Sequence, residues 1–225
     1  MKRRNLTPLV LAALQDTPVV YVQGPRQSGK TTLVQGLQKA GHQAEYLTFD
    51  NAAVLAAAQS DPDGFISGLP DQVILDEIQR VPELFRAIKL SVDQRREPGR
   101  FLLTGSANAL LLPKVSESLA GRMEVLTLWP FSQGEISNRR ENFIDACFAR
   151  KFSPGNYQDA HWTELTKRIT AGGYPAAIKR PAGARRNAWF KSYVTTILER
   201  DVRDIANVQG LRDLPRLLRL AAARA

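Results

Sequence analysis

The chain of 225 residues holds one cysteine, Cys147, two histidines and two methionines. A lone thiol closes no internal bridge, so a disulfide scaffold is excluded. Cys147 reads as a small buried hydrophobe, and a reducing compartment, the cytoplasm, is the expected setting. His42 and His161 have no carboxylates or cysteines clustered around them in the sequence, which argues against a metal site built on either. No apolar run is long enough to span a bilayer, so no membrane is expected among the partners. Met1-Lys-Arg-Arg followed by Leu6-Thr-Pro-Leu-Val-Leu-Ala-Ala-Leu14 has the charge order of a secretory leader. Pro8 interrupts that run, however, and Leu6, Leu9, Val10, Ala13 and Leu14 fall on one helical face, so a retained helix is expected. No internal repeat is present.

Acidic residues are scarce at one end. Residues 1–178 carry 20 basic against 18 acidic side chains, whereas residues 179–225 carry 11 against 4 and supply most of the net charge of +9. Such a stretch, with Arg185, Arg186, Arg200, Arg203, Arg216 and Arg219, suits phosphate contacts with nucleic acid. It equally suits a solvated or protein-docking face.

What is abundant is ordinary for a globular chain: 44% hydrophobic and 24% charged residues. Val19–Gln23 is a β-branched apolar run that stops at Gly24-Pro25, as a buried strand does before a turn. Residues 45–49, 72–76, 100–104 and 124–128 repeat the pattern, with helical periodicity between them. Leu84, Phe85, Ile88 and Val92 form the apolar face of one crossover helix. The alternation predicts an α/β fold with a mostly parallel, covered sheet. After Trp129-Pro130 the strand signal fades. A boundary is expected near 130, with a sheet domain over 1–130 and a helical region over 131–225, broken at Ser153-Pro-Gly-Asn156, Gly172-Gly-Tyr-Pro175 and Arg180-Pro-Ala-Gly183. Trp189, Tyr193, Ile197 and Leu198 line one late helical face, and Leu211, Leu214, Leu217 and Leu218 line another.

Gly24-Pro25-Arg26-Gln27-Ser28-Gly29-Lys30-Thr31 fits G-x-x-x-x-G-K-[ST] between a strand and a helix, the phosphate-loop (Walker A) context. Glycines let backbone N–H groups turn inward as an anion nest, and the following helix aims its positive dipole end at the same phosphates. Lys30 is expected on the β- and γ-phosphates and Thr31 on a magnesium ion. Val73-Ile-Leu-Asp76-Glu77 is the matching acidic strand (Walker B). Asp76 is expected beside the magnesium ion, and Glu77 to orient or deprotonate the attacking water. An Asn-Lys-x-Asp guanine-reading motif is missing, which favours ATP over GTP. Phe101-Leu-Leu-Thr104-Gly-Ser106 delivers hydroxyls, of Thr104 or Ser106, that could contact the γ-phosphate or the attacking water, with Ser106 alternatively a helix cap.

Gly24 through Thr32, Leu75-Asp-Glu-Ile-Gln-Arg-Val-Pro82, Leu103-Thr-Gly-Ser106 and Leu119-Ala-Gly-Arg122 together resemble the AAA-type P-loop ATPases of bacteria and archaea that carry an uncharacterised C-terminal domain. The resemblance covers residues 5–135, and Trp189-Phe-Lys-Ser-Tyr193 through Leu198-Glu-Arg-Asp201-Val resembles the opening of that second domain. Members are usually longer, which implies a truncated chain. The resemblance implies an extra strand between the two that carry the nucleotide motifs, and nucleotide binding over residues 24–32, Thr32 included. It also implies a trans-acting role for Arg122 at a neighbouring subunit's γ-phosphate, hence a homo-oligomer. The alternative for Arg122 is a helix-end cap or a surface pair with Glu117 or Glu124. Gly172-Gly-Tyr-Pro175 is similar to an element that brings a proline near adenine in related signalling ATPases, and reads as well as a turn starting a helix. The leading expectation is a Mg-dependent ATPase that moves a helical lid and changes partner contacts. An ATP-dependent nucleic-acid motor is the alternative, with a P-loop kinase third. Asp76-Glu-Ile-Gln79 is similar to a helicase box, but 225 residues leave little room for a second motor domain.

Overall fold

The computed structural model describes residues 2–106, 119–151, 162–197 and 214–224. Five parallel strands, β1 (Val19–Gly24), β2 (Glu45–Thr48), β3 (Val73–Asp76), β4 (Phe101–Ser106) and β5 (Met123–Thr127), form one sheet in the order β2-β3-β4-β1-β5. Strand β4 therefore lies between β1 and β3, as the family resemblance implies. All five strands fall where the apolar runs predict them, within two residues at each end.

The strands read as continuous hydrophobic runs because both faces are covered. Val19, Tyr21, Val73, Leu75, Phe101 and Leu103 point to one layer, packed with α3 (Ala52–Ser60), α4 (Pro62–Ser67) and α5 (Leu84–Gln94) through residues such as Ala58, Ile66 and Ile88. The intervening residues Val20, Val22, Ile74 and Leu102 point the other way, onto α1 (Thr7–Ala13) and α2 (Lys30–Gly36). The predicted face of α5 is confirmed, with Leu84, Phe85, Ile88 and Val92 all buried. The α1 face is rotated from the expected one. Val10, Ala13 and Leu14 are buried, but Leu9 is exposed, and Pro8 sits in the first turn, where its missing N–H costs no helical bond.

After Leu128 come short helices: α6 (Gln133–Ser137), α7 (Phe143–Phe148), α8 (Trp162–Ala171), α9 (Pro175–Ile178), α10 (Ala184–Thr196) and α11 (Leu214–Ala222). The breaks at 172–175 and 180–183 separate α8, α9 and α10 as predicted, while Ser153–Asn156, Leu198 and Leu211 lie outside the described residues. Cys147 is half-buried in α7. No helix among the described residues is long and apolar enough to cross a membrane.

Candidate functional site

The site grows from the C-terminal ends of β1, β3 and β4, where an open parallel sheet offers its crevice. Strand β1 ends at Gly24, whose backbone lies so close to β5 that a Cβ there would meet the Leu128 carbonyl oxygen at 2.2 Å. Gln27 and Gly29 both adopt left-handed backbone, at φ 61° and 98°, and Gly29 directly precedes α2. Left-handed residues in such loops turn neighbouring N–H groups to one side, which builds an anion nest. Ser28 and Lys30 are buried, Pro25, Arg26 and Thr31 half-buried, and Gln27 and Thr32 exposed. The Lys30 ammonium donates to the carbonyls of Gly24 at 3.1 Å and Pro25 at 3.2 Å, folded over the loop it belongs to.

Strand β3 brings Asp76 against this loop. Thr31 Oγ1 donates to Asp76 Oδ2 at 2.9 Å, and the Tyr46 phenol of β2 donates to the same oxygen at 2.7 Å. Thr104 Oγ1 of β4 donates to Asp76 Oδ1 and accepts from the backbone N–H of Glu77 at 3.3 Å. The buried carboxylate is thus surrounded by hydroxyls. Burial, and then the hydrogen bond to Asp76, push Tyr46 up to about 12, so the phenol stays a donor at neutral pH. Hydroxyl and carboxylate oxygens are the hard donors magnesium takes. Among the described residues, no three histidine, cysteine, aspartate or glutamate side chains gather as a cage. Thr31 and Asp76 could supply two of the oxygens a magnesium ion takes, leaving the others to phosphate and water. Glu77 follows in left-handed backbone at φ 60°, half-buried, and Tyr21 of β1 faces it: burial, then the Glu77 charge, push that phenol up to about 12. Ser106 ends β4, and the helix it was expected to cap lies outside the described residues.

Arg122 stands elsewhere. Its carbonyl accepts from Val19 N–H at the start of β1, so it occupies the N-terminal end of the sheet, opposite the phosphate loop and about 17 Å away at ~3.3 Å per strand residue. That separation keeps Arg122 out of contact with the candidate site of its own chain. Its surface partner is Asp93 of α5, at 2.5 Å, rather than Glu124, because α5 ends beside the entry to β5; Glu117 lies outside the described residues.

Three further contacts close on the loop. Arg4 donates to the Ser28 carbonyl at 2.9 Å and to the Trp129 carbonyl, pairs with buried Glu135 at 3.2 Å, and lies over the Phe131 ring. Burial lowers the Arg4 pKa from its ordinary value, and the Glu135 carboxylate opposes that shift. Pro175 opens α9 and stands against Gly29, where a Cβ would be 4.0 Å from the proline ring and 3.5 Å from Arg4 Nη1. The Tyr193 phenol of α10 donates to the Arg26 carbonyl at 3.1 Å and lies 3.1 Å from the Tyr174 phenol, with Trp189 stacked on it. Of the two readings of the Gly172–Pro175 element, the helix start is observed, and the proline also abuts the phosphate loop at Gly29. Neither Arg4–Glu135 nor Tyr193–Arg26 leaves a mark in sequence, since the partners stand 131 and 167 residues apart.

The family described as an AAA domain matches residues 16–137. The chain belongs to it. A domain of unknown function matches residues 163–225. Uncharacterized proteins of Mycobacterium tuberculosis and Mycobacterium bovis are each 33% identical over 206 residues, which is 91% of this chain and 41% of the relative. The chain therefore spans about two fifths of the length of the curated relatives it matches. Among solved structures, a Walker-type ATPase of Pyrococcus abyssi aligns over 99% of this chain and 77% of its own at 14% identity and a TM-score of 0.48. AMPPCP-bound DnaA from Aquifex aeolicus aligns over 94% and 63% at 15% identity and a TM-score of 0.45. The AAA domain carries a P-loop ATPase fold, with a helical region behind it.

Proposed function

We propose that the protein binds ATP with magnesium and hydrolyses it, passing the nucleotide state to the helices that follow the sheet. The observation that carries this reading is the Thr31–Asp76 contact, which joins phosphate loop and acidic strand into one site with Glu77 at its rim. Residues 24–32 would cradle the phosphates through backbone N–H groups, and Lys30 would exchange its loop carbonyls for phosphate oxygens. A magnesium ion held by Thr31 and Asp76 would supply charge neutralisation on those oxygens. Glu77 would take a proton from water as the water oxygen bonds to the γ-phosphorus, the β–γ oxygen bond breaks, and ADP and phosphate leave. Thr104 would hold Asp76 and the Glu77 backbone at the γ-phosphate end. A water-activating base argues against the kinase reading, since it would waste ATP on water.

The division near residue 130, the cytoplasmic setting and a trans role for Arg122 in a homo-oligomer belong to the same reading. The distance of Arg122 from its own site supports the trans role over a cis one. A nucleic-acid partner is a second reading, favoured by the charge excess of residues 179–225 and by Arg216, Arg219 and Arg224 on and just beyond α11. The test is phosphate release with no acceptor present, with and without DNA. Lys30→Ala should abolish it, and Glu77→Gln should keep analogue binding while losing at least about tenfold in rate. Wild-type turnover in both variants would sink the site assignment. Stimulation by DNA that falls steeply with salt would support the second reading.

A further inference from the structure

Glu77 is followed at once by a turn of 3-10 helix, Ile78–Arg80, pinned to the core by fully buried Ile78. That turn returns the side chain of Gln79 onto its neighbour, and the Gln79 amide N–H donates to Glu77 Oε2. The other end of the amide, Oε1, is buried and accepts no hydrogen bond from a described group. Turning the amide over would bring two acceptors together, so the donor end must face the carboxylate. Space for this comes from Gly105 on β4. A Cβ there would lie 2.8 Å from Gln79 Oε1 and closer still to the Tyr21 hydroxyl, so any other residue would displace both. Glu77 is thus fixed from two sides, by Thr104 at its backbone and by Gln79 at its carboxylate, in a left-handed conformation that a non-glycine residue holds only when its surroundings impose it.

We infer that Gln79 is a positioning residue for Glu77, its amide N–H holding the carboxylate in the orientation from which it takes the proton of the attacking water. The inference rests on the reading of Glu77 as the base. Gln79 touches neither nucleotide nor magnesium in this account, so its loss should leave binding intact and slow the proton-transfer step.

Gln79→Met keeps the length and packing of the side chain and removes the donor. It should lower kcat about tenfold with the affinity for a non-hydrolysable ATP analogue unchanged, the mark of an interaction used in the transition state. Glu77→Gln/Gln79→Met should be no slower than Glu77→Gln alone, because the two act as one unit. Gln79→Glu supplies a carboxylate that regains a donor on protonation, so its rate relative to wild type should climb as pH falls from about 8 to about 6, while the methionine variant gains nothing. A methionine variant that turns over within about twofold of wild type overturns the inference, as does a double variant slowed by the product of the single effects. Normal turnover in Glu77→Gln would instead overturn the reading of Glu77 itself.

Discussion

Among the described residues, the chain up to Leu128 contributes all the buried hydrophobic side chains except Ala177 and Tyr193. Beyond Leu128, large apolar residues face outward: Trp129, Phe143, Ile144, Phe148, Trp162 and Ile169 are each at least 64% exposed. The first region is held by strands that bury both faces. The second is held to it at contacts of two groups: on the N-terminal segment, where Lys2 and Asn5 reach Ile136, Glu135 and Glu141, and on the phosphate loop, with Glu135 through Arg4, Pro175 at Gly29, and Tyr193 at the Arg26 carbonyl. A region with little core of its own, tied down at the loop proposed to bind nucleotide, is one whose placement a change in that loop can alter.

The comparison breaks first at the core. Leu103→Ala, in the middle of β4, should cost about 2–5 kcal/mol in urea unfolding, and Ile169→Ala on α8 less than about 0.5 kcal/mol. Equal costs would mean that the second region packs as the first does. Next comes the joint. Arg4→Met leaves Glu135 buried without its cation and should cost about 3 kcal/mol, with Arg4→Met/Glu135→Leu recovering most of it. A double variant as unstable as the single would show that the joint depends on packing around Phe131 and not on the ion pair.

How much of this was legible in sequence follows the same division. The strands were readable because a sheet covered on both faces writes continuous apolar runs, and Gly24 through Thr31 because its contacts lie within one short stretch. Leu9 misled because a helical face drawn from periodicity carries no information about which neighbour it meets: α1 packs through Val10 and Leu14, and Leu9 points away. Tyr46 on Asp76, Arg4 on Glu135 and Tyr193 on Arg26 join distant positions through single polar atoms, which leave no pattern in composition or spacing.

A smaller effect separates the two ends of the strands. Lys30 and Glu77 stand at one, Arg122 at the other, so an Arg122 that acts on a neighbour should let inactive Arg122→Ala and inactive Lys30→Ala chains regain part of their phosphate release when mixed. No regain, with activity independent of protein concentration, would leave Arg122 as the surface partner of Asp93. The smallest effect expected is that of Tyr193→Phe, which removes the hydroxyl shared between the Arg26 carbonyl and the Tyr174 phenol and should cost about 1 kcal/mol in unfolding.

The same tyrosine provides the most direct test of the claim that nucleotide at the phosphate loop is felt by the second region. Amide hydrogen exchange of residues 184–196 can be followed with and without magnesium and a non-hydrolysable ATP analogue, in wild type, Lys30→Ala and Tyr193→Phe. The account predicts that the analogue changes exchange in α10 of the wild type, leaves it unchanged in Lys30→Ala, and has a weakened effect in Tyr193→Phe. Tight binding of the analogue to the wild type with α10 exchange unaltered would contradict it.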